Sequence, residues 1–109
     1  MEISVSELAY AAGLFDGEGW FSITRSKGHR IKRDFCYQVH AGLVMRERSI
    51  LTWLQRRFGG TVRKQKRYSD KHSFSYRWRT TGKQTLETAK LLKPYLMAKK
   101  KQAGVVIDF

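Results

Sequence analysis

The sequence predicts an α+β fold, ordered αββαββα, with a four-stranded antiparallel sheet packed on helices. Three observations predict it. Hydrophobic spacing switches between a helical period and a period of two, the alternating runs come in two pairs each joined by a turn, and a helical segment separates the pairs. At 109 residues the chain reads as one domain, 1–109, large enough for a modest core.

The first helix is expected to start near Ser6. Ser4 and Ser6 are both suited to cap it, and Glu7 lies in the early turn, where the helix dipole favours an acid. Leu8, Ala9, Ala12, Gly13 and Phe15 recur near helical spacing, and Gly17 can close the helix in a left-handed conformation. From Trp20 the period becomes two, with Phe21 and Ile23 alternating with Ser22 and Thr24 in a strand with one wet face. The turn SKGHR leads to a second alternating run. Phe35, Tyr37, Val39, Ala41 and Leu43 take one face of it, and Asp34, Cys36, Gln38, His40 and Gly42 the other. RERSILTWLQRRFGG returns to helical spacing through Ile50, Leu51, Leu54 and Phe58 and stops at Gly59–Gly60. Residues 61–67 read as a third strand and YSDKH as a turn. Residues 73–80 form a fourth strand, where Phe74, Tyr76 and Trp78 alternate with Ser75, Arg77 and Arg79. GKQTLETAKLLKPYL is a third helix interrupted by the only proline, Pro94, and residues 97–108 form a last short one.

Charge narrows the partner. The chain carries 22 Lys+Arg against 9 Asp+Glu, a formal net charge of +13, spread along its whole length. Such an excess self-repels unless a polyanion neutralises it, and the folded body rather than a tail is where that partner should sit. Cys36 stands alone, so a disulfide framework and a cysteine zinc site are excluded, and His29, His40 and His72 lack ligand spacing. No apolar run approaches a membrane span and the N-terminus has no signal-peptide layout, so a soluble intracellular protein is expected, with no membrane partner and no small-molecule cofactor.

One predicted sheet face is aromatic and aliphatic on all four strands. The opposite face carries Ser22, Thr24, Gln38, His40, Arg63, Gln65, Arg67, Ser75, Arg77 and Arg79, with Asp34 almost its only acid. Guanidinium groups suit phosphates and guanines, and the Gln, Ser and Thr side chains suit other base edges, so this face is the expected nucleic-acid surface.

The stretch AAGLFDGEG, residues 11–19, departs from the basic trend. Ala9, Gly13 and Gly17 recur every four residues on one helical face, a spacing that lets two helix backbones approach closely. A second copy of this helix must come from another chain, which predicts a two-fold homodimer. Glu18 closes the helix, where a carboxylate meets the negative end of the dipole and a divalent cation would compensate it. Two such glutamates near a dimer axis could serve phosphodiester hydrolysis. Asp16 and Glu18 also read as turn residues making local hydrogen bonds, the reading preferred for Asp16 and left open for Glu18.

AAGLFDGEG resembles the signature of the LAGLIDADG homing endonucleases. Ala12, Gly13, Leu14, Asp16 and Gly19 match it letter for letter, Phe15, Gly17 and Glu18 are mild replacements, and Ala11 in place of leucine is the least usual. LVMRERSILTWLQRRFGG resembles the family's helix after the second strand, and PYLMAKKKQA its C-terminal lysine segment. The resemblance covers nearly the whole chain. It implies a homodimer joined through the motif helices (here Ala9, Ala12, Gly13, Asp16 and Gly17) that cuts both strands of a long, roughly palindromic double-stranded DNA site. It implies catalytic roles for Glu18, the ligand of Mg2+ or another divalent cation such as Mn2+, and for Lys99 near the scissile phosphate, with Lys101 as its neighbour. Many members place a polar residue, often Gln, after the second strand, where this chain has Met45 beside Arg46. The alternative is a non-cleaving binder of the same fold, either a transcriptional regulator or a maturase with intron RNA as its partner.

Overall fold

The computed structural model describes residues 3–27, 35–65 and 74–109. Four α-helices and a four-stranded antiparallel sheet follow in the order α1 (Val5–Glu18), β1 (Gly19–Lys27), β2 (Phe35–Met45), α2 (Arg48–Phe58), β3 (Thr61–Gln65), β4 (Ser75–Thr81), α3 (Lys83–Leu92), a 3-10 turn (Lys93–Tyr95) and α4 (Lys100–Asp108). The strands lie in the order β1-β2-β4-β3. Each hairpin keeps its own pair, and β2 joins β4 to close the sheet. Asp34, Arg67 and the YSDKH turn lie outside the described residues, as does most of SKGHR.

Ser4 caps α1, so the helix starts at Val5, a residue before Ser6. The Ser4 hydroxyl accepts from the Glu7 N–H at 3.1 Å while the Glu7 carboxylate accepts from the Ser4 N–H at 3.1 Å. Arg57 of α2 donates to the same carboxylate and, with the Ser4 N–H, holds it below its ordinary pKa. The inward stripe of α1 is Leu8, Ala11, Ala12 and Phe15. Ala9 and Gly13, expected on that stripe, are exposed instead, and Ala11 takes their place. Three-residue and four-residue spacings both fit small side chains, so spacing alone picked the wrong pair.

Gly17 does not end α1. It stays helical, and the helix closes at Gly19 in extended backbone, φ −92° and ψ 174°. β1 starts there, at a position where only glycine fits, since a Cβ on Gly19 would lie 2.6 Å from the Phe15 ring and 2.9 Å from Leu43. Left-handed backbone occurs at Gly59 (φ 78°) and Gly60 (φ 92°), where α2 turns into β3.

The apolar sheet face agrees with the period-two reading at its centre, but Tyr37, expected on it, is exposed at the sheet's end and meets only Phe109 among the described rings. Phe21, Val39, Ala41, Leu43 and Trp78 are buried against Phe15 of α1, Leu51 and Leu54 of α2, Leu92 of α3 and Val106 of α4. Phe15 stacks on Phe21 at 4.8 Å between centroids and meets Trp78 edge-on at 5.7 Å. Trp78 satisfies its indole N–H on the Gly59 carbonyl at 2.8 Å. Phe74 falls outside β4 and is exposed. The third helix ends at Leu92, two residues before Pro94, because proline supplies no N–H to continue the ladder. The last helix begins at Lys100, three residues later than its spacing suggested, because residues 97–99 form a turn pinned from outside.

Candidate nucleic-acid interface and active site

Strand register assembles the polar face. Thr24 pairs with Gln38, Ser22 with His40, Arg63 with Arg77 and Gln65 with Ser75, while Arg79 faces Gly42 on one side and Thr61 on the other. Alternation therefore puts Ser22, Thr24, Gln38, His40, Arg63, Gln65, Ser75, Arg77 and Arg79 on one surface. The described strands contain no Asp or Glu. Arg63, Arg77 and Arg79 line a cavity of about 350 Å³ with Thr61, Thr81 and Gln84, the last reaching in from α3. The Nε atoms of Arg77 and Arg79 are buried without a hydrogen-bond partner. Three guanidinium groups around one hollow, with no carboxylate on the surrounding strands, form a site suited to phosphate oxygens and guanine edges.

Two residues that the sequence reading passed over shape this face. Trp20 faces Gly42 across β1 and β2, and a Cβ at position 42 would lie 2.8 Å from its ring and 2.4 Å from the Trp78 carbonyl oxygen. Only glycine leaves Trp20 that room. The Arg77 guanidinium sits 5.1 Å from the Trp20 ring centroid. The signal was present, because Trp20 stands two residues before Ser22 in the same alternation.

His40, expected among the contacting side chains, is only 4% exposed. Its Nδ1 is 2.7 Å from Arg79 Nη2 and its Nε2 is 2.9 Å from Thr24 Oγ1. The same Arg79 Nη2 also lies 3.3 Å from Nε2, so the guanidinium, which only donates, sits across the imidazole rather than on one nitrogen. Burial first, then the charges of Arg79 and Arg77, hold the imidazole below its ordinary pKa of 6.5.

At the end of α1 the two motif acids have different roles. The Asp16 carboxylate accepts three backbone N–H groups: Met97 at 2.8 Å on Oδ2, and Ala98 at 2.9 Å and Lys99 at 2.8 Å on Oδ1. It thereby pins the turn that caps α4, and Lys99 Nζ lies 3.5 Å from the Asp16 carbonyl oxygen. The local turn read for Asp16 is in fact a tie to residues more than 80 positions away. Glu18 is exposed, and among the described residues its carboxylate has no partner. Hard oxygen donors suit magnesium, and Glu18 offers one such ligand, but no group of three His, Cys, Asp or Glu occurs among the described residues.

The small-residue stripe also divides. Ala9, Gly13 and Gly17 are exposed, and a Cβ at Gly13 or Gly17 would meet nothing within 4 Å. Ala12 is fully buried in the chain's own core, and half-buried Asp16 is occupied by the 97–99 turn.

A family model described as LAGLIDADG endonuclease matches residues 11–106. The chain belongs to the LAGLIDADG endonuclease family. Its fold is that of the homing endonucleases. I-CvuI, solved in complex with an I-CreI target in the presence of magnesium, superimposes with a TM-score of 0.79 at 23% identity, covering 94% of this chain and 64% of that one. The archaeal intron-encoded I-Vdi141I, complexed with DNA, gives 0.74 at 13% identity over 94% and 65% of the two chains. I-TnaI gives 0.69 at 24% identity over 99% and 74%. The chain spans just under two thirds of the length of the first two. No curated protein matches it. In this member of the LAGLIDADG endonuclease family, Met45 packs half-buried against the core beside Tyr76, and Arg46 is exposed. No helix among the described residues is long and apolar enough to cross a membrane.

Proposed function

We propose that two copies of this chain, which folds as one LAGLIDADG domain, form a homodimer. The dimer binds a long, roughly palindromic double-stranded DNA site and hydrolyses one phosphodiester bond in each strand. The observation that carries the reading is the Asp16 tie. It brings Lys99, from the far end of the sequence, to the motif carbonyl two residues from the exposed Glu18, which has no partner among the described residues. An ammonium and an exposed carboxylate thus lie at the same end of α1, a pairing that suits a site handling phosphate. Glu18 would hold the divalent cation, which when bound supplies charge neutralisation and a more acidic water. Lys99 places a positive charge where the leaving oxygen becomes anionic. Arg63, Arg77 and Arg79 bind the duplex, with Thr24 and Gln38 exposed beside them for further base edges. The exposed stripe of Ala9, Gly13 and Gly17 lets the two α1 helices approach, bringing both Glu18 residues toward one duplex. A DNA substrate places the protein inside the cell or an organelle.

The test is cleavage of a plasmid carrying the uninterrupted insertion locus, with and without magnesium. The wild-type chain is expected to linearise it only with the metal, and Glu18→Gln to bind the locus but leave it uncut. Undiminished cutting by Glu18→Gln would remove the metal role. Tight binding without cutting by the wild-type chain would favour a regulator, and RNA binding that promotes splicing a maturase.

A further inference from the structure

We propose that His40 is a positioning residue that sets the base preference of Arg79, aiming its guanidinium at a guanine through an acceptor nitrogen. The proposal rests on the reading of the polar face as a DNA surface and adds what one part of that face reads.

His40 lies beneath the face, 4% exposed, between β1 and β4. Arg79 Nη2 lies 2.7 Å from His40 Nδ1 and 3.3 Å from Nε2, so this amino group is engaged by the imidazole. Both Nη1 protons remain, the part of the fork that can meet guanine O6 or N7. Fixing that fork before binding removes part of the ordering cost of a long side chain. Thr24 holds the imidazole from the other side at 2.9 Å, so the ring cannot turn without losing a partner.

The device requires a neutral ring. Toward His40, β4 presents Arg77, Arg79 and Thr81, β1 presents Ser22 and Thr24, and β2 adds Gln38. Both charged groups are cationic, and with burial they keep the imidazole neutral at pH 7. Acid would protonate Nδ1, remove the acceptor and set three positive charges side by side, which releases Arg79.

The test is selection of bound duplexes from a randomised double-stranded library. Arg79→Ala identifies the symmetric pair of positions whose guanine preference depends on Arg79. His40→Leu, which lacks the acceptor, is expected to lower guanine preference at those positions by about tenfold and leave the others unchanged. The wild-type chain should lose the same preference only in acid, below the ordinary imidazole range, because burial and the two guanidinium charges oppose protonation. His40→Asn, whose carbonyl can accept but does not titrate, should keep it in acid as well. If His40→Leu does not fold, the comparison of wild type with His40→Asn across pH decides. A preference that survives His40→Leu, or falls equally at every position, overturns the proposal, as does an identical pH response in His40→Asn. If the wild-type chain enriches no sequence at all, the DNA-binding reading fails, and this proposal with it.

Discussion

The two faces of the sheet are built from alternate residues of the same four strands, yet their chemistry is opposite. Phe21, Val39, Leu43 and Trp78 turn inward and are packed, while Thr24, Gln38, Arg63, Arg77 and Arg79 turn outward into a surface whose strands hold no acid. The end of α1 repeats the division: half-buried Asp16 is engaged by three backbone N–H groups, whereas Glu18 is exposed and has no partner among the described residues. Inward residues should therefore govern stability and outward ones activity. A motif read as a single unit thus contains one structural acid and one that is free for chemistry.

Substitutions can break that division. The widest separation is expected between Phe15→Ala and Glu18→Gln. Phe15 is fully buried between Phe21 and Trp78, so its truncation should cost about 3–5 kcal/mol, read as a large fall in Tm. Glu18→Gln should leave stability within about 0.5 kcal/mol while abolishing cutting. If both variants lost stability alike, the division would fail. Asp16→Ala should fall between them, with stability lower by about 1–3 kcal/mol because a charged acceptor of three N–H groups is gone. Its cutting should fall as well, since Lys99 loses its anchor, and activity should stay low at temperatures where the variant is folded. Gly13→Ala is the smallest change. In a helix with open space at that position it should stabilise the isolated protomer by about 0.5–1 kcal/mol, yet weaken association if two α1 backbones meet there.

Most of the fold was legible in the sequence because a half-buried sheet writes a period of two. Phe74, Tyr76 and Trp78 against Ser75, Arg77 and Arg79 needed no tertiary knowledge, although Phe74 itself falls outside its strand. What depended on distant partners was not legible. Asp16 is explained by residues 97–99, and no local pattern announces a contact across more than 80 positions. His40 looked like one more polar residue of the outer face, but Arg79 and Thr24 on neighbouring strands enclose it. Gly17 and Gly19 look alike in sequence. The difference arises because Phe15 and Leu43 occupy the space beside Gly19, while nothing stands beside Gly17.

The most direct test of the central claim, that paired outward surfaces form one DNA-cleaving site, is the mass of the protein–DNA complex in solution. Sedimentation of the wild-type chain with a duplex of the uninterrupted insertion locus should give two chains per duplex, with Gly13→Ala shifted toward one. A wild-type complex that holds a single chain per duplex and still cuts both strands would contradict the account.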